Sequence, residues 1–137
     1  MNECERLEEV QAIIGEITEL AKNGAVLLVE GKRDRDSLIS LGIRGEIIQT
    51  SQKQLFNLAE SLAREKRQVI VLSDWDERGD EVARQVETYL KADGVQPKCE
   101  LRESLKSLVK KEIKDVESLY SYVERLKELC SDKPQHY

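Results

Sequence analysis

Histidine is nearly absent from this chain of 137 residues: its one copy, His136, is next to last. That position gives it no part as a general base, although histidine is the usual choice for one. Cysteine is scarce as well. Cys4, Cys99 and Cys130 are too few and too scattered for a disulfide framework or a zinc site. Their odd number suits a reducing compartment, and all three are read as ordinary thiols. Aromatic residues make up 4% of the chain, so a core has to be built from Leu, Ile, Val and Ala. No apolar stretch approaches the roughly 20 residues of a membrane-spanning helix. The opening residues, MNECERLEEVQ, are acidic and lack the basic-then-apolar layout of a secretion signal. These absences predict a cytoplasmic protein with no membrane contact.

What is present is charge and aliphatic bulk. Charged residues reach 36% and hydrophobic ones 39%, which suits a globular domain with a heavily charged surface. The length fits one domain with a core large enough to stand without staples. The net charge of −5 disfavours a nucleic-acid binder, because phosphate contacts dominate such affinity. The charge is uneven, however. Residues 1–23 hold six acids against two bases, whereas residues 98–114 hold six bases against three acids. That basic run reads either as a nucleic-acid-facing surface or as a solvated helix face, and the second is the commoner case.

Apolar periodicity sets out the elements. Leu7, Val10, Ile13, Ile14, Ile17, Leu20 and Ala21 recur at helical spacing over residues 3–22, and Asn23-Gly24 stops that helix. Residues 25–30 form a short, continuously apolar run, as a buried parallel strand does. Asp34 then suits the N-cap of a helix ended by Gly42. Residues 45–49 form a short strand, and Ser51 caps a helix carrying Leu55, Leu58 and Leu62. Residues 68–73 make the second strong buried strand, followed by a helix over about 77–92. Residues 97–101 read as a last strand. Residues 102–131 are a helical extension with an apolar stripe through Val116, Leu119, Val123 and Leu126. Strands alternating with helices predict an α/β fold, a parallel sheet with helices on both faces. The two terminal helices either complete the core or pair with a partner subunit.

Function is concentrated where two of the strands end. AVLLVEGKRD places Glu30 at the close of one apolar run, with Gly31 turning the chain. VIVLSDWDERGD places Asp74 and Asp76 at the close of another, with Gly79 behind them. Ligands of open parallel sheets bind outside the carboxyl ends of the strands. Asp74 and Asp76 share one face if the backbone stays extended there, and Trp75 points the other way, to pack beneath a helix. On neighbouring strands, Glu30 lies within reach of the pair. Three carboxylates so placed supply the hard oxygen ligands that magnesium takes. The competing reading makes them helix caps, a role that Asp34 and Asp76 suit. Lys32, Arg33 and Arg35, directly after Glu30, offer charge to neutralise phosphate beside a metal.

Glu-Gly after one strand, followed by Asp-x-Asp-x-x-Gly after a later strand, resembles the Toprim domain of topoisomerases, primases, nucleases and ribosomal RNA maturases. The likeness covers residues 25 to about 100. It implies a compact sheet of about four parallel strands flanked by helices. It also implies magnesium held by Asp74 and Asp76, with Glu30 as a ligand or a general acid or base. Gly31 and Gly79 match the family's turn glycines, and Asp34 matches an acidic position that often follows the glutamate. No tyrosine here sits in a topoisomerase-like motif, and a primase's zinc module has no counterpart, so the chain resembles a small freestanding Toprim protein. The expected activity is magnesium-dependent phosphodiester chemistry on RNA or DNA, with nuclease-type RNA processing foremost. The alternative is a Toprim module that binds nucleic acid or a partner protein, or assembles as a homo-oligomer, without turnover.

Overall fold

A computed structural model describes residues 1–131 of the chain; the tail with His136 lies outside the described residues. The elements run α1 (Glu3–Lys22), β1 (Val26–Val29), α2 (Lys32–Ser40), β2 (Glu46–Gln49), a single 3-10 turn (Thr50–Gln52) and α3 (Leu55–Arg64). They continue with β3 (Val69–Val71), α4 (Glu77–Ala92), α5 (Glu100–Val109) and α6 (Leu119–Ser131). All strand pairs are parallel, in the order β2-β1-β3. Val26 stands opposite both Glu46 and Val69, so β1, wholly buried, is the centre of the sheet.

Strand alternation divides the core in two. Leu27, Val29, Ile70 and Leu72 face one side, where they meet α1, α2, α5 and α6. Val26, Leu28, Val69 and Val71 face the other, where α3 and α4 pack. Period-2 geometry explains the partition, and aliphatic side chains make nearly all of it. Each fully buried Leu or Ile contributes about 1.5–3 kcal/mol. Helix α1 starts where the Asn2 side chain accepts from the Glu5 N–H at 2.8 Å, with Glu3 and Glu5 in its first turn. It stops at Gly24, whose φ of 99° favours glycine. The terminal helices pack against each other and complete the core.

Four sequence expectations are corrected. The fourth strand shrinks to one bridge, Ile70 with Lys98, because Glu100 already begins α5. Asp34 is not an N-cap. The turn falls earlier, at Gly31, so Asp34 lies inside the first turn of α2 and accepts from the Gly31 N–H at 3.0 Å. Gln54 rather than Ser51 precedes α3, because the chain first makes the 3-10 turn. Finally, Cys4 and Cys130 are not ordinary thiols but a disulfide joining the start of α1 to the end of α6. Packing of α1 against α6 brings together two cysteines 126 residues apart in sequence, a pairing that no local pattern announces. Cys99 is the free cysteine among the described residues; burial first, then Glu87, pushes its thiol up to about 11.

Candidate functional site

Strands β1 and β3 are adjacent and parallel, so the residues that follow them emerge at the same edge. The ladder runs on past β3, with the Leu72 N–H donating to the Leu28 carbonyl at 2.8 Å. One step further, the Glu30 carboxylate accepts from the Asp74 backbone N–H through Oε2, at 2.7 Å. The two acidic motifs therefore meet. The Asp74 side chain is half-buried, and its Oδ1 accepts from the Val116 N–H at 2.9 Å.

Burial pushes the Asp74 carboxyl up to about 7, and the negative charges of Asp34 and Glu30 push the same way; the Val116 hydrogen bond opposes them. Asp34 is buried, and burial raises its carboxyl too, against hydrogen bonds from the Gly31 and Glu117 backbones. Three carboxyls, Glu30, Asp34 and Asp74, thus share one electrostatic neighbourhood. The sign of the linkage follows. The folded chain holds a proton on Asp74 at a pH where the unfolded chain, near 3.8, has released it. Its contribution to stability is full below that lower value and is lost as pH rises through about 7. Metal-free protein should therefore melt at a progressively lower temperature as pH is raised from about 5 to about 8. Asp74→Asn should flatten that slope, and parallel slopes in the two proteins would contradict the assignment.

Asp76 is arranged differently. It is exposed and caps α4, with Oδ1 accepting from the Gly79 N–H at 2.7 Å. Among the described residues, no three acidic, histidine or cysteine side chains form a ready-made metal cluster. The donor chemistry nevertheless fits a hard cation. Glu30 and Asp74 offer carboxylate oxygens at one strand edge, with Asp34 close enough to act on Asp74. Magnesium needs only one or two protein carboxylates, because water and substrate phosphate complete its shell.

The cation beside Glu30 is Arg78 of α4, 3.8 Å from Oε1. Arg33 instead pairs with Glu117 at 3.3 Å, across the surface from α2 to the segment before α6. Lys32 is exposed and Arg35 half-buried, both in the first turns of α2. Trp75 packs into the core, and its indole N–H donates to the Ile113 carbonyl at 2.6 Å.

Two supports of the site went unread in the sequence. Arg102 of α5 is 2% exposed, and its Nε donates to the Ser73 carbonyl at 2.8 Å. Its Nη2 donates both to the Asp74 carbonyl and to Asp80 Oδ1, the latter at 2.6 Å. One guanidinium thus holds the backbone that carries Asp74. A signal did exist: Arg102 lies within the apolar stripe Leu101, Leu105, Val109, where a solvated base does not belong. The second support is the segment 113–116, which contributes the Ile113 and Lys114 carbonyls and the Val116 N–H to Trp75 and Asp74. No side-chain pattern marks backbone contacts of that kind.

Known proteins resemble this chain over most of its length. The model of the Toprim domain matches residues 8–117. A UPF0292 protein of Methanosarcina barkeri is 43% identical over 122 residues, covering 89% of this chain and 85% of its own. A UPF0292 protein of Pyrococcus horikoshii is 41% identical over 117 residues, covering 85% of this chain and 86% of its own. Among solved structures, a protein from Aquifex aeolicus aligns with a TM-score of 0.67 at 29% identity, over 79% of this chain and 95% of that one.

Proposed function

The chain belongs to the Toprim domain family and to the UPF0292 proteins, and from that premise we propose that it performs magnesium-dependent phosphodiester chemistry on nucleic acid. Family membership associates it with metal-dependent work on nucleic acids. The finer reading is nuclease-type processing of RNA. The observation that carries it is the meeting of Glu30 and Asp74 at one strand edge, with the Asp74 carboxyl pushed up to about 7.

In this reading Glu30 and Asp74 hold the magnesium, and Asp76, exposed at the start of α4, adds to the donor set. Magnesium held by these carboxylates would supply polarisation of a scissile phosphate and a lowered pKa for water. Glu30 has a second task. It is half-buried and touches both Asp74 and Arg78, so it is placed to pass a proton between attacking water and solvent. Arg78 offsets phosphate charge on one side of the site, while Lys32, Arg33 and Arg35 of α2 do so on the other. Gly79 allows α4 to approach the Asp74 backbone closely, and Asp34 holds the chain at Gly31 through its bond to the Gly31 N–H.

The test is cleavage of labelled RNA and DNA by purified full-length protein, with magnesium and with chelator. Magnesium-dependent cleavage that Asp74→Asn reduces by about 100-fold or more is the expected result. Salt-sensitive binding without turnover on a broad substrate panel replaces the enzyme with a binding module.

A further inference from the structure

An open groove of about 330 Å³ runs from Glu30 between the Thr50–Gln52 turn and α4. Thr50, Ser51, Lys53 and Leu55 line one wall, and Arg78, Val82 and Gln85 line the other. The groove is anchored to the acidic edge through the backbone, since the Ser51 N–H donates to the Glu30 carbonyl at 3.0 Å. Lys53 is exposed at its rim, and Arg78 stands at its inner end beside Glu30. One helical turn beyond Gln85, Tyr89 meets Phe56 of α3 edge-to-face, with ring centroids 5.5 Å apart.

Phe56 is the anomaly. In a chain with one phenylalanine and one tryptophan, the tryptophan is in the core while the phenylalanine is 54% exposed. Tyr89 braces its ring at an interplanar angle of 79°, and more than half of the residue stays open to solvent. Along α4, Arg78 and Tyr89 are about 16 Å apart at 1.5 Å per residue. A carboxylate site, one cation on each wall of the groove and an exposed aromatic beyond its end therefore follow one another on this side of the molecule, with Glu81 on the α4 wall between them.

We infer that this groove, together with the surface of α3 and α4 just beyond it, takes a single-stranded nucleic-acid segment, with Lys53 and Arg78 on its phosphates and Phe56, past the end of the groove, as the platform on which a base stacks. The inference rests on the nucleic-acid reading above and names its substrate as single-stranded. Positive charge that follows a backbone, joined to an aromatic face, is how proteins hold single strands without reading sequence. In a duplex the base faces are already stacked on one another, so Phe56 has nothing there to bind. The one acid on the outer wall, Glu81, opposes binding and identifies the groove by sign: neutralising it should tighten the complex.

The experiment is fluorescence anisotropy of the full chain with a short, labelled single strand of mixed sequence, and with the matching duplex, over a salt series. Phe56→Ala should weaken single-strand binding about 5- to 100-fold with the salt slope unchanged, and Phe56→Trp should restore it. Lys53→Ala with Arg78→Ala should flatten the salt slope by about 1.4, near 0.7 for each lost phosphate contact. Glu81→Gln should bind more tightly than wild type. Phe56 is largely exposed, so its variants test binding rather than folding. Wild-type binding of duplex but not of single strand overturns the groove and leaves the nucleic-acid reading standing. So does single-strand binding that is indifferent to both Phe56 and the two cations. Absence of binding to either probe overturns both.

Discussion

Alanine at position 79 should cost about 3 kcal/mol or more of stability and remove magnesium binding with it. A Cβ built on Gly79 lies 1.6 Å from the Asp74 carbonyl oxygen and 2.4 Å from its carbon. The obstacle is backbone, not a flexible side chain able to yield. Gly79 therefore answers to close approach, not to a left-handed turn. Its N–H is also the donor to Asp76, and its carbonyl accepts from the buried Ser73 hydroxyl at 2.7 Å. The first turn of α4 is thus pressed against the chain that leaves β3. Relieving the overlap has to displace either Asp74, away from Glu30, or the start of α4, which carries Asp76 and Arg78. Chemical denaturation and a magnesium titration on the same variant check both halves. A variant with wild-type stability would show that the two segments are not so close.

Arg102→Ala should be the second large effect, about 2–4 kcal/mol of stability. It leaves the Ser73 and Asp74 carbonyls without their donor and Asp80 without its main partner. The Asp80 carboxyl is held below the usual carboxylate range chiefly by its hydrogen bond to Arg102, but it is too exposed for that bond to dominate the loss. The greater part comes from carbonyls stranded in the interior. Arg102→Lys separates charge from geometry. A lysine keeps the positive charge but cannot bridge two carbonyls and a carboxylate with one planar group. Lysine should therefore recover little of the stability, and both variants should weaken magnesium binding by about 10- to 100-fold, as loss of a group that orients a ligand does. Full recovery by lysine would reduce Arg102 to a charge partner of Asp80.

Much of this site was legible because it depends on local signals. Continuous apolar runs found β1 and β3, and the acids that end those runs could only appear at one sheet edge once the strands were parallel neighbours. Helix α4 was readable to the residue because Asp76 caps it and its apolar positions keep strict helical spacing. What escaped were effects of packing at a distance. The Cys4–Cys130 disulfide and the Arg102 clamp join segments far apart in the chain, and composition argued against the first. The cation beside Glu30 was sought in the next residues along the sequence. Helix phase instead brings Arg78 there from another element, while Arg33 turns to Glu117. Asp34 was misplaced by a few residues of helix onset, yet that shift carries it into the electrostatic field of Asp74. Phe56 gave no signal at all, since an isolated aromatic reads as core until its exposure is known.

The central claim is that Glu30 and Asp74 form a site for a hard cation. Calorimetric titration of magnesium into the metal-free full-length protein, at pH values below and above 7, tests it most directly. Wild type should bind more tightly at the higher pH, because the ion has to displace the proton that burial keeps on Asp74. Asp74→Asn and Glu30→Gln should each lose the binding at both pH values. Magnesium bound equally well by wild type and both variants, with no dependence on pH, would contradict the account.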